Sequence, residues 1–169
     1  MGKYSLPIRI ASFLFLIGTI LFIYFYGTPK TSIVSAKYFL FVTPPGLFFT
    51  IWAVIFTLQI ITNLINLFQN RWTPYEHLIL AINNILLIIW TAVFNIGNDP
   101  AVYFSFLILL TIIPVTLVFW RRAGQLVPIN WFTYFARNSY AFYLGWIVAA
   151  TNLNLGMIIV YWWQASYKT

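Results

Sequence analysis

Two acids, Glu76 and Asp99, and one histidine, His77, are all that the sequence offers for acid–base chemistry near or below neutral pH. Catalysis of that kind needs groups that converge on a substrate. Glu76 and His77 are merely adjacent, and Asp99 falls in a different connecting segment on the opposite side of an apolar run. Glu76 reads as a charge near a helix start, where it complements the helix dipole, and His77 as an interfacial side chain. This reading is preferred to a haem ligand or a proton relay. Cysteine is absent, which removes disulfides, thiolate nucleophiles and thiolate metal sites. No catalytic residue, metal site or required cofactor is therefore assigned, and the expectation is a protein that is not an enzyme.

The remaining chemistry lies in amides and indoles inside uncharged stretches. Trp52, Phe56, Gln59, Asn63 and Asn66 are spaced by three and four, which puts them on one helical face. Amides at membrane depth need partners, so this face should point into a bundle. It then either fixes packing through interhelical hydrogen bonds or forms a cavity wall with Trp52 nearest the mouth. Asn83, Asn84, Asn152 and Asn154 carry the same two readings.

The elements that must position these residues follow from composition. The chain is 62% hydrophobic and 7% charged, against about 25% charged in soluble domains. Such a chain cannot cover itself with a solvated surface, so its surface must face lipid. A helix needs roughly 20 apolar residues to cross a bilayer, and the uncharged stretches supply five spans, near 8–26, 45–68, 77–96, 100–120 and 139–163. The expected fold is all-α, a single five-transmembrane-helix domain. Residues 121–138, with Trp131, Phe132, Tyr134 and Phe135 among arginines, read as an interfacial loop or short surface helix.

The net charge of +7 does not imply nucleic-acid binding, because the nine cations are scattered singly between apolar runs. Lys3, Arg9, Arg71, Arg121, Arg122 and Arg137 fall on one side of the spans, and Lys30, Lys37 and Lys168 on the other. That bias places the N-terminus on the cytoplasmic or matrix side. No charge sits at the centre of a span, which argues against an ion pump or proton-coupled transporter. Leu6 stands where a myristoylation signal needs Ser or Thr. The first apolar run is too long for a signal-peptide core and is expected to be a retained helix.

Three segments resemble the TspO/MBR family of tryptophan-rich sensory and translocator proteins. Pro44-Pro45-Gly46-Leu47-Phe48-Phe49-Thr50-Ile51-Trp52 resembles its Pro-x-Gly-aromatic-x-Phe-x-Ile-Trp signature. Tyr143-Leu144-Gly145-Trp146, Ala150-Thr151 and Asn154 are similar to its last-helix pattern, and Phe119-Trp120-Arg121 is a weaker match. Leu47 departs from the usual aromatic. Asn83, Asn84 and Trp90 keep a third motif only in altered spacing, and the longer connection after the fourth span resembles the larger bacterial relatives.

The resemblance implies a five-helix bundle with an interhelical cavity, lidded by the first loop, that accepts porphyrins, sterols or other flat apolar ligands. Trp52, Trp146 and Ala150 would line that cavity, with Tyr143 and Asn154 as supports. The same residues would also serve simple helix packing. Two functions follow. One is a TspO-like binding protein for a tetrapyrrole, sterol-like or lipid ligand, alone or as a homodimer. The other is an accessory structural subunit of a larger membrane assembly, such as a mitochondrial respiratory complex. A mitochondrial or bacterial inner membrane suits either.

Overall fold

The computed structural model describes residues 5–38, 40, 50–125 and 130–166. Its regular elements are all helical: α1 (Ser5–Phe22), a π-helical turn (Ile23–Gly27), α2 (Thr28–Lys37), α3 (Ile51–Gln69), α4 (Pro74–Phe94), α5 (Asp99–Ala123) and α6 (Trp131–Ser166). Five segments are long and apolar enough to cross a membrane: Leu6–Gly27, Ile51–Gln69, Pro74–Phe94, Asp99–Ala123 and Trp131–Tyr161. A helix satisfies its own backbone in lipid, so this chain can expose Leu14, Phe25, Phe68 and Phe104 on its outer surface without penalty. It is an integral, multi-pass membrane protein.

The spans close into a ring. α5 packs on α6, α6 on α3, α3 on α1, α1 on α4, and α4 back on α5. The interior is filled by fully buried side chains, among them Ile55, Leu87, Leu109, Phe119 and Ile147. The predicted inward face of α3 is observed, with Phe56, Gln59, Asn63 and Asn66 buried. Its amides join helices: Asn63 Nδ2 donates to the Tyr140 hydroxyl at 3.2 Å. Thr116 donates to Asn83 Oδ1 at 2.8 Å, and Asn83 Nδ2 donates to the Tyr143 hydroxyl at 3.2 Å, linking α5, α4 and α6. Asn152, by contrast, is exposed on α6 and bonds only to its own helix.

Helix ends follow local chemistry. Asn70 closes α3 in the left-handed region, with φ 51°. Thr73 and Glu76 form a capping box at the start of α4, with Pro74 in its first turn. Asn98 caps α5 by accepting from the Ala101 N–H at 2.9 Å. Gly97 precedes it at φ 71°, a backbone that favours glycine.

Three expectations are corrected. The interfacial loop or short surface helix expected over 121–138 is narrower among the described residues: Arg121–Ala123 end α5, and Trp131–Asn138 form the first turns of α6. Trp131 to Leu144 contains no Gly or Pro, so nothing stops the last helix from starting early. Asp99 is not in a connecting segment but opens α5. Glu76 and His77 lie in the first turn of α4, in line with a charge near a helix start and a residue at the start of a span. His77 is buried in the bundle against Trp72, with its Nε2 3.5 Å from Asn66 Nδ2. The first connection is partly helical, as α2. The helix start expected at Pro45, and the signature residues Pro44 to Phe49, lie outside the described residues, as do Lys3 and Lys168.

Candidate functional site

Trp52 enters the bundle from the first turn of α3, and its ring organises an aromatic cluster. It stacks on Phe56 (centroids 5.3 Å apart, planes at 26°) and meets Trp146 of α6 edge-on (6.1 Å, 88°). Trp90 of α4 lies 6.3 Å away and Tyr143 6.4 Å away, both tilted. Trp90 stacks in turn on Phe94 (5.5 Å, 17°). Such offset and edge-to-face pairs each add about 0.5–1.5 kcal/mol beyond burial, so this cluster ties α3, α4 and α6 without a charge.

Above the cluster is a cavity of about 30 Å³. Trp52, Trp90 and Trp146 line it, together with Ala150, Asn154 and Met157 of α6 and Thr31 and Ser35 of α2. Four of the five expected residues therefore meet at one cavity: Trp52, Trp146, Ala150 and Asn154. Tyr143 does not line it. It stands behind Trp52, fully buried, with its hydroxyl held by Asn83. Asn154 is positioned by Ser105, whose hydroxyl donates to its Oδ1 at 2.7 Å, while its Nδ2 donates to the Ala150 carbonyl at 3.0 Å.

Trp90 is the site residue that sequence reading left unassigned. It lies seven residues after Asn83, two turns along the same face, and that register was the available signal. Thr31 and Ser35 had no such signal, because they belong to the short polar helix α2.

Two features give the cavity chemistry. The indole N–H groups of Trp90 and Trp146 are buried and have no hydrogen-bond acceptor. An unsatisfied buried donor costs about 1–3 kcal/mol. Trp72 and Trp120 share that condition, but neither lines this cavity. Among the described residues lining the cavity there is no acid, histidine or lysine. The arrangement can therefore stack against a flat apolar body and donate to a polar edge.

α2 sits over this site on a small set of contacts. Gly27, in the π-helical turn, lies so close to α4 that a Cβ there would come within 2.6 Å of Thr91 Cγ2. The Gly27 carbonyl accepts from Asn95 Nδ2 at 3.3 Å, and Thr31 donates to Asn95 Oδ1 at 2.9 Å. At the far end of α2, Lys37 Nζ donates to the Gly97 carbonyl at 2.6 Å, and the Tyr38 hydroxyl donates to Asp99 Oδ1 at 2.6 Å. Burial, then the hydrogen bond to Asp99, and then the Asp99 charge raise the Tyr38 pKa well above that of a free phenol, which keeps this donor protonated.

A ring of five membrane-crossing helices with an indole-lined cavity under a short capping helix defines a multi-pass membrane protein built around an interhelical pocket. The family model for TSPO-like protein matches residues 8–168, nearly the whole chain, and the chain belongs to that family. No curated protein and no solved structure matches it.

Proposed function

We propose that this protein is a non-enzymatic membrane binding protein for a flat apolar ligand with a hydrogen-bond acceptor at its edge, such as a porphyrin or a sterol-like molecule. The observation that carries this reading is the pair of buried, unpartnered indole N–H groups at one aromatic-walled cavity. An acceptor brought within reach of either N–H recovers the cost of an unsatisfied donor. A cavity of about 30 Å³ holds on the order of two waters, whereas ligand pockets span about 300–1,000 Å³. Binding therefore requires α2 to lift and Trp52 or Trp146 to turn.

Titration of the purified protein with protoporphyrin IX tests this. Saturable quenching of tryptophan fluorescence is expected, weakened about tenfold in Trp146→Ala, which loses one donor and one stacking face. Linear, non-saturating quenching in the unaltered protein would overturn the reading.

The small cavity also favours a second reading, in which the bundle serves as an accessory structural subunit of a mitochondrial inner-membrane respiratory complex. Comigration with a much larger complex on a native gel supports that role, and migration as a monomer or homodimer in mild detergent removes it.

We also propose that the N-terminus faces the cytoplasm or matrix, because Arg9, Arg71, Arg121, Arg122 and Arg137 share one end of the bundle. Absence of native cysteine makes this simple to test. A membrane-impermeant maleimide on sealed right-side-out cells or mitoplasts should label Ala36→Cys, on exposed α2, and spare Gln125→Cys. The reverse pattern would invert the topology.

A further inference from the structure

A second and larger cavity, of about 390 Å³, lies at the α2 end of the bundle between the start of α5 and the last turns of the described α6 span. Two orthogonal aromatic pairs contribute to its walls. Tyr38 meets Tyr161 edge-to-face (5.0 Å, 80°), and Tyr103 meets Phe104 in the same way (5.9 Å, 77°). Asp99 lines the same space, exposed in the first turn of α5, with one carboxylate oxygen accepting from Tyr38. Deeper along the helices the walls become apolar, at Val102, Met157 and Ile158.

Aromatic faces grouped with a carboxylate attract an ammonium, by the ring quadrupole and by charge together. The apolar continuation suits a hydrocarbon chain. A counter-charge stands close by: Lys37 uses one of its three donors on the Gly97 carbonyl, two residues before Asp99, and its Nζ lies 5.0 Å from the Tyr38 ring centroid. Asp99 lies at the end of a span, where headgroups are found.

We propose that this cavity is a binding site for one zwitterionic phospholipid. Its ammonium group sits among Asp99, Tyr38, Tyr103 and Tyr161, its phosphate faces Lys37, and the upper part of an acyl chain runs along Met157 and Ile158. The site meets the tryptophan cavity at Met157, which lines both, and neither proposal depends on the other.

Native mass spectrometry of the full chain, released from micelles doped with equal amounts of phosphatidylcholine and phosphatidylglycerol of identical chains, tests it. The unaltered protein should retain the choline lipid about tenfold over the glycerol lipid, the scale of one desolvated cation–π contact with its carboxylate. Asp99→Asn should abolish the preference. Tyr103→Leu, at a position 40% exposed, should reduce it several-fold. Equal retention of the two lipids by the unaltered protein, or an undiminished preference in both variants, overturns the proposal.

Discussion

The two ends of the bundle are built from the same five helices but closed in different ways. At the end that carries Arg9, Glu76 is almost fully buried and accepts from the Thr73 N–H at 2.8 Å, from the Thr73 hydroxyl, and from Arg122 Nε at 2.5 Å. Asn66 Oδ1 takes the backbone N–H groups of Arg71 and Trp72 at 2.9 and 3.1 Å, and Arg9 donates to the Leu67 carbonyl. Arg137 covers the Trp120 ring at 4.5 Å. All five spans are tied there by charge or by capped backbone. At the other end, among the described residues, the closure is one ten-residue helix, α2. A few side-chain bonds tie it down, among them Thr31 and the Gly27 carbonyl to Asn95, Lys37 to Gly97 and Tyr38 to Asp99. Residues of α2 or next to it line both cavities. Regions held by few contacts open at low free energy, so the proposed binding and the expected opening fall at the same end. The Arg-rich end supplies the fixed frame.

The largest effect that would sharpen this contrast is expected from Glu76→Gln. The variant loses the charge that organises the α4 cap and the pair with Arg122. Breaking a fully buried pair costs about 3–5 kcal/mol, but Arg122 is 41% exposed, so solvent screening reduces the figure. A loss of about 2 kcal/mol is expected, read as a lower midpoint in denaturant titration of the detergent-solubilised protein. An unchanged midpoint would remove the claim that this end is the frame.

Gly27→Ala should come next and act on the opposite end. The added Cβ meets Thr91 Cγ2, so the π-helical turn must move off α4, at about 1–2 kcal/mol for an overpacked contact. Hydrogen exchange should rise across Thr28–Tyr38 and stay unchanged across Thr73–Leu80. A uniform rise along the chain would mean that the two ends are not independent. Asn83→Leu is smaller still. It removes the Thr116–Asn83–Tyr143 chain midway between the ends, and interhelical hydrogen bonds in membranes average about 0.6 kcal/mol. Its exchange signature should be confined to the facing turns of α4, α5 and α6.

What the sequence revealed of this contrast depends on the range of each signal. The five spans were legible because an uncharged run of membrane length is a local property. The inward face of α3 was legible because Trp52, Gln59, Asn63 and Asn66 repeat at helical spacing. The shared cavity of Trp52, Trp146, Ala150 and Asn154 came from resemblance rather than from spacing, since nothing in one helix's pattern announces its neighbour. α2 was missed because its residues are polar and include Pro29, a composition that also fits a loop. The Glu76–Arg122 pair was missed because its partners are 46 residues apart, and a count of charges carries no pairing. The α5–α6 cavity was missed for the same reason: Tyr38, Asp99, Tyr103 and Tyr161 come from three separate stretches of chain.

The smallest expected effect is also the most discriminating. Thr31→Val preserves shape and removes the hydroxyl that donates to Asn95 Oδ1 at 2.9 Å. Asn95 keeps its own bond to the Gly27 carbonyl at 3.3 Å, so the π-helical turn stays anchored and only the middle of α2 is released. A single interhelical bond of about 0.6 kcal/mol is close to RT, so global stability should hardly change. The same energy applied to the closed–open equilibrium of α2 should raise the open population by about two- to threefold. If α2 covers the tryptophan cavity, porphyrin association followed by stopped-flow quenching should accelerate by that factor in Thr31→Val. Glu76→Gln, despite its larger cost in stability, should leave that rate unchanged, because the end it weakens does not cover the cavity. Equal acceleration in both variants would mean that access follows general loosening of the bundle rather than release of α2, and the two ends would then differ in strength but not in role.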